Sequence, residues 1–278
     1  MNAIKHASYS SAQDILGCGL RYWLKKVKGY AEHPAMWSVG GVAVHKATEF
    51  YDLGVLTDAT ECFWEAWTPT LAEFEEATSV PVEDWRYSRN QDADWWIKHG
   101  PNMVQSWIDW RSESGWTLLN TASTGFADAI ELPLNVDVGG VPLKGFIDRV
   151  FLDDSGAVVI MDLKTGSRKP DSALQLGWYR VGLKEQYGID ADWGAYFMPR
   201  KKPGDQVAIE SVAKYDLEYI SRMTAGFKAQ VESGIYLPNV SSWCGSCGMR
   251  KNCWAQSQTV TDETPVPSLP VVSVTSNT

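Results

Sequence analysis

The sequence predicts a mixed α/β (α+β) fold in which a central mixed sheet is flanked by helices and preceded by a helical N-terminal lobe. Three observations predict it. Helical periodicity dominates up to about residue 120; from Gly125 onward short apolar or alternating runs are separated by turn signals; and the later chain alternates helix-period with strand-period segments before a cysteine-rich run. At 278 residues and 44% hydrophobic, the chain can bury a full core.

The elements follow in order. Ser11-Ala-Gln-Asp14, just ahead of Ile15, Leu16, Leu20 and Trp23, predicts a capping-box start, which puts Cys18 on or at the end of a short helix. From Val39 to Leu53 the pair Gly40-Gly41 opens an apolar helical run with His45 and Glu49 four apart on one face. Glu49 reads as a surface acid rather than a partner of His45. Two or three helices are expected between Thr57 and Ser114, loaded with Trp64, Trp67, Trp85, Trp95, Trp96, Trp107 and Trp110. Aromatic stripes at helical spacing pack inward, so this tryptophan reads as core before it reads as a stacking surface for bases. Cys62, in the same region, reads as a small buried side chain.

Three strands are expected at Phe126–Val136, Val141–Leu152 and Ala157–Leu163, joined by turns at Gly139-Gly140 and Asp153-Asp154-Ser155-Gly156, so that they open the sheet antiparallel. A helix from Pro170-Asp171 to Tyr187, strands at Trp193–Met198 and Val207–Val212, and a last helix from Leu217 to Ser233 complete the pattern. The stretch from Thr259, rich in Thr, Ser, Pro and Val, has no periodicity and is expected to be a disordered tail.

Composition narrows the function classes. No run approaches the roughly 18 apolar residues of a membrane span and no signal-peptide pattern opens the chain, so a soluble cytoplasmic protein is expected. The net charge of −9 argues mildly against a nucleic-acid partner. Its distribution matters more than its sum. Basic residues gather in Arg21 to Lys28, Arg168-Lys169 and Arg200-Lys201-Lys202, while carboxylates that bind cations are counted in the acidic excess. The same basic runs could be ordinary solvated faces.

Of five cysteines, three crowd into Cys244-Gly-Ser-Cys247-Gly-Met-Arg-Lys-Asn-Cys253, and a fourth, Cys18, lies far upstream. Four thiolates at such spacings bind zinc or an iron-sulfur cluster and would staple the chain ends together. An odd count with three clustered fits metal binding in a reducing compartment better than a disulfide framework.

Between the cysteines lies a second constellation. Asp162 and Lys164, two apart on a strand, share a face of the sheet, and Asp148 is expected to end the preceding strand, close enough to share a metal with Asp162. Gln175 and Tyr179 lie on one face of the next helix, and His45 on an earlier one. Phosphodiester hydrolysis uses such a set: carboxylates and an imidazole for Mg²⁺ or Mn²⁺, and a lysine to orient or help deprotonate water. An isolated Asp-Leu-Lys-Thr-Gly would be a solvated strand end; the company of His45, Asp148, Gln175 and Tyr179 changes the reading.

In sum, Gly41-Val-Ala-Val-His45, Gly145-Phe-Ile-Asp148, Ile160-Met-Asp162-Leu-Lys164-Thr-Gly166, Gln175-Leu-Gly-Trp-Tyr179 and the C-x2-C-x5-C cysteines with a distant N-terminal partner resemble, in this order, the motifs of the PD-(D/E)XK nuclease superfamily. Within it they are similar to the RecB-like and CRISPR-associated-type exonucleases that carry a four-cysteine iron-sulfur clasp. The resemblance runs from Cys18 to Cys253 and departs at Gly19, where relatives often carry proline.

It implies a restriction-endonuclease-like core, with residues 1–258 forming one RecB-like nuclease domain. That domain would comprise a mainly helical lobe over about 1–120, a catalytic core over about 121–235 and an iron-sulfur clasp over about 236–258, before a tail at 259–278. It further implies a metal-dependent DNA exonuclease working on single-stranded ends, 5′ to 3′, in phage or repair and recombination processing. Water would attack at a Mg²⁺ or Mn²⁺ ion held by His45, Asp148, Asp162 and the Leu163 backbone carbonyl. Lys164 would position the water, and Gln175 and Tyr179 would brace the phosphate or the lysine. A [4Fe-4S] cluster on Cys18, Cys244, Cys247 and Cys253 would close the fold. With no Gly-x-x-x-x-Gly-Lys-[Ser/Thr] loop the protein would cut without its own motor, and a recombinase, annealing protein or helicase could recruit it. Two other classes stay open: a catalytically idle iron-sulfur subunit that recognises DNA ends or junctions for a partner, and, with less behind it, an electron carrier.

Overall fold

A computed structural model describes residues 6–88, 91–120 and 128–256. Helix α1 (Tyr9–Gly17) is followed by the single turn α2 (Gly19–Tyr22) and a π-helical turn at Trp23–Val27. Helices α3 (Met36–Asp52), α4 (Ala59–Thr78) and α5 (Ala93–Glu113) come next. Then follow β1 (Thr117–Leu118), β2 (Ile130–Asp137), β3 (Pro142–Leu152), β4 (Val158–Leu163), α6 (Leu174–Tyr187), β5 (Trp193–Phe197), β6 (Val207–Ser211) and α7 (Leu217–Ser233).

The six strands form one mixed sheet in the order β1-β3-β4-β5-β6, with β2 also paired to β3. Neighbours are antiparallel except β4 and β5, which run parallel because α6 carries the chain back across the sheet. The alternation of β4 decides what each face sees. Val159, Met161 and Leu163 pack with Ala195 and Phe197 against the α3–α5 lobe, whereas Ile160 joins the opposite core with Tyr196, α6 and α7. The sheet thus separates two apolar cores, and Asp162, in phase with Ile160, turns toward α6.

Several expectations shift. The first helix is capped one turn earlier, by a box between Ser8 and Ser11 rather than between Ser11 and Asp14, with Cys18 as its C-cap residue. Helix α3 starts at Met36, so Gly40 and Gly41 lie inside it rather than opening it. Packing explains this: a Cβ at Gly40 would sit 2.1–2.4 Å from the buried Trp96 indole, so the glycine lets α5 close onto α3 at the cost of some helix propensity. Helix α6 begins at Leu174, four residues after the expected Pro170 start. The strand expected from Phe126 is described only from Ile130, because residues 121–127 lie outside the described residues. Strand β1, too short to show periodicity, pairs with Phe151 and Leu152. Asp148 sits within β3 instead of ending it.

Of the expected core tryptophans, Trp67, Trp85, Trp96 and Trp107 are buried and Trp95 and Trp110 half-buried, whereas Trp64 is exposed. Cys62 is fully buried. Among the described residues no helix is long and apolar enough to cross a membrane. The basic run at Arg21–Lys28 is partly spent internally, since Arg21 and Lys25 both pair with Asp14 and Glu32.

The Gly40 contact yields a paired prediction. Gly40→Ala should cost about 1–3 kcal/mol through overpacking. Gly41→Ala, whose Cβ meets only the Thr165 hydroxyl at 3.4 Å, should cost less or even stabilise the helix. Urea denaturation of both variants checks the order, and equal effects would contradict it.

Candidate metal centre and cysteine clasp

The β3–β4 ladder runs from Leu152–Val158 to Arg149–Met161 and stops there. Beyond it a side chain replaces the backbone partner: Asp148 Oδ2 accepts the Leu163 N–H at 2.8 Å. The ladder is thereby opened, and the Leu163 carbonyl is left free to face α3. His45 comes from the middle of α3 to meet both groups, with Nε2 3.0 Å from the Leu163 oxygen and Nδ1 3.2 Å from Asp148 Oδ2. A neutral imidazole carries a single N–H. One of these two contacts therefore lacks a proton unless the ring is charged, and a cation seated among these oxygens and the ring would remove the conflict.

Among the described residues, His45, Asp148 and Glu131 form the group of three possible ligand atoms that all lie within 4.8 Å of one another. Glu131 was not legible in the sequence. It lies between the pairs Ile130–Arg149 and Leu132–Ile147, hence across from Asp148, and its backbone is left-handed at φ 45°. A non-glycine residue there is uncommon and costs about 1–3 kcal/mol, strain that accompanies the turning of its carboxylate toward the centre. Acid followed by Leu-Pro-Leu in a strand gives no composition signal; only the pairing register could have found it.

Asp162 is buried and held from two sides. Gln175 Nε2 donates to Oδ1 at 2.6 Å, and the Lys164 ammonium lies 2.6 Å from Oδ2, outside hydrogen-bonding geometry. Gln175 continues the chain, accepting from Lys164 Nζ at 2.9 Å through Oε1 and donating to the Tyr179 hydroxyl at 3.0 Å. The helical spacing of Gln175 and Tyr179 places both on the α6 face that looks at β4. Tyr179 is itself buried, so it steadies Gln175 rather than meeting solvent.

The electrostatics carry the mark of crowded negative charge. Burial raises the proton affinity of Asp162, the charge of Asp148 adds to the rise, and Lys164 and His45 oppose it. Glu131 is pushed up from 4.5 to about 7, by burial first and then by Asp148, with Glu49 adding and Arg149 opposing. Glu49 is half-buried. The Tyr179 phenol is raised by burial and by the same two aspartates. A divalent cation is the natural counter-charge for such a pocket.

Cys18 and Cys244 lie at a separate place. Asn239 spans them, its N–H lying 3.4 Å from Cys18 Sγ and its carbonyl 3.9 Å from Cys244 Sγ. Burial raises the Cys253 thiol, and the charges of Cys18 and Cys247 push the same way. Their sulfurs form no group of three within 4.8 Å among the described residues. The segment after α7 closes onto α2, where Leu20 N–H donates to the Leu237 carbonyl at 3.2 Å and a Cβ at Gly19 would meet the Tyr236 and Leu237 backbone at 2.9–3.1 Å. That approach accounts for glycine after Cys18.

Residues 6–254 match the PD-(D/E)XK nuclease superfamily. The chain is 26% identical over 283 residues to the Gene 69 protein of Mycobacterium phage L5, covering 88% of this chain and 95% of that protein. It is 28% identical over 243 residues to the Gene 69 protein of Mycobacterium phage D29, covering 82% and 87%. A solved structure, SSO0001, superposes with a TM-score of 0.34 at 12% identity, covering 86% of this chain and 95% of that one, a likeness too slight to bear on function.

The raised acid gives a signed prediction. A carboxyl whose folded pKa lies above its unfolded value binds more protons when folded, so its contribution to stability is lost as pH rises. Without divalent cations, Glu131→Gln should therefore gain thermal stability relative to the parent as pH climbs from about 4.5 to about 7. Saturating Mn²⁺ should erase that advantage. Differential scanning calorimetry across the window checks it, and a variant that loses ground instead would contradict it.

Proposed function

Because the chain belongs to the PD-(D/E)XK nuclease superfamily, we propose that it is a divalent-metal-dependent deoxyribonuclease, an exonuclease acting on single-stranded DNA ends. The observation that carries this reading is the meeting of His45, Asp148 and the Leu163 carbonyl beside the Asp162–Lys164–Gln175 chain. His45, Asp148, Asp162 and the Leu163 carbonyl would hold Mg²⁺ or Mn²⁺, and Glu131 is near enough to His45 and Asp148 to join them. Such an ion, when bound, supplies Lewis-acid charge at the phosphate and lowers the pKa of water.

The rest is done by the chain. Lys164, one-third exposed at its side chain, is held by Asp162 and Gln175 with its ammonium toward the site, placing a proton donor where the attacking water and the phosphate oxygens would sit. Gln175 orients the lysine by accepting a hydrogen bond from its ammonium through Oε1. Tyr179 fixes Gln175 from behind. The mycobacteriophage relatives bear only on a phage setting, whereas action on DNA from free ends, 5′ to 3′ polarity and a place in repair and recombination processing rest on the motif resemblance. So does recruitment by a recombinase, annealing protein or helicase.

The second cofactor in this reading is a [4Fe-4S] cluster on Cys18, Cys244, Cys247 and Cys253. Its support is the chemistry and spacing of the donors. Tetrahedral zinc with bonds of about 2.3 Å draws its four sulfurs to about 3.8 Å of one another. A cubane binds each thiolate to a different iron and holds them further apart.

Two outcomes test the function. End-labelled linear single-stranded DNA should be digested with Mn²⁺ or Mg²⁺ while a covalently closed circle survives. Lys164→Ala should slow digestion about 10²–10⁴-fold, and Asp162→Asn should bring it to background. DNA bound but uncut under every divalent metal would instead indicate an idle recognition subunit. Separately, protein purified without oxygen should be brown with absorbance at about 400 nm, and Cys18→Ser should lose the colour. Colourless protein with one zinc per chain would replace the cluster with a zinc site.

A further inference from the structure

Arg149 follows Asp148 in the chain but cannot meet a substrate, because its side chain is only 3% exposed. Its guanidinium instead reaches three of the elements that supply the metal centre, α3, β3 and β2. Nε donates to Asp52 Oδ2 at 2.7 Å, and Nη2 lies 3.4 Å from Thr48 Oγ1. Both partners are on α3, three and seven residues beyond His45. Thr48 in turn donates its hydroxyl to the His45 carbonyl at 2.8 Å. On β3, Nη1 donates to the Asp148 carbonyl at 2.6 Å, and the same nitrogen stands 3.6 Å from Glu131 Oε1 on β2.

The far side of this junction is equally fixed. The Asp52 side chain is fully buried and also accepts from Arg111 Nε at 3.1 Å and Trp107 Nε1 at 3.2 Å. The Arg149 guanidinium lies 5.7 Å from the Trp107 ring. A buried ion pair of this kind is a poor source of net stability, since desolvation offsets most of its attraction. What a planar five-donor fork provides is direction, and a lysine cannot reproduce it.

We infer that Arg149 is the positioning residue of the metal centre, setting His45, Asp148 and Glu131 at a common separation by tying α3, β3 and β2 to one guanidinium with Asp52 as its anchor. The inference rests on the metal reading above. It predicts a defect in cation affinity rather than in DNA binding, because outer partners of metal ligands carry about 10–100-fold in affinity.

The test is Mn²⁺ titration of the full chain, followed by the electron paramagnetic resonance of the free ion, alongside steady-state digestion of single-stranded DNA. Folded Arg149→Lys and Arg149→Gln should need about tenfold or more Mn²⁺ for half-saturation. At saturating Mn²⁺ their kcat should return to within a few fold of the parent, with KM for DNA unchanged. Asp52→Asn, of equal size, should shift the midpoint the same way and serves if the arginine variants do not fold. Lower Tm with an unchanged Mn²⁺ midpoint would reduce Arg149 to a merely structural residue and overturn the inference. A parent chain that binds no Mn²⁺ would remove the metal reading itself, and this inference with it.

Discussion

Three carboxylates drawn to one end of a sheet impose the constraint that the surrounding structure answers. Asp148 adds to burial in raising the proton affinity of both Asp162 and Glu131, and carboxylates crowded in this way need partners. Each is met differently. Lys164 and Gln175 hold Asp162, His45 and the Leu163 N–H hold Asp148, and Arg149 stands by Glu131. The interruption of the β3–β4 ladder follows from the same demand, because a carboxylate takes the N–H that a strand would otherwise have taken. The opening in the sheet and the charge at that opening are therefore one feature.

The two cores on either side of the sheet explain why the site is so firmly held. The α3–α5 lobe packs its aromatic face on Met161, Leu163 and Phe197, bringing His45 in from one side, while α6 packs on Ile160 and Tyr196 and brings Gln175 in from the other. Gly40 lets α5 close onto α3 through Trp96. The segment after α7 is tied to α1 and α2 by the Leu20 N–H, which donates to the Leu237 carbonyl, and by Asn239, which donates to Cys18 Sγ and the Gly17 carbonyl.

Much of this could be read from the residues alone, for reasons that differ by element. The β3–β4 hairpin was legible because Asp153–Gly156 is a strong turn between apolar runs, and α7 lies where expected, at Leu217–Ser233. His45, Asp148, Asp162, Lys164, Gln175 and Tyr179 were legible as a set because each lies at a motif spacing. Glu131 and the Asp52–Arg149 pair were not. Their significance comes from strand register and from a contact across 97 residues of chain, neither of which leaves a local pattern. The start of α3 was misplaced because glycine punctuates most helices but here admits a tryptophan.

The most direct test of the central claim is anomalous diffraction at the manganese edge from crystals grown with Mn²⁺. The account predicts a peak bounded by His45, Asp148, Asp162 and the Leu163 carbonyl. Well-ordered side chains at these positions with no peak between them, or manganese bound only elsewhere, would contradict it.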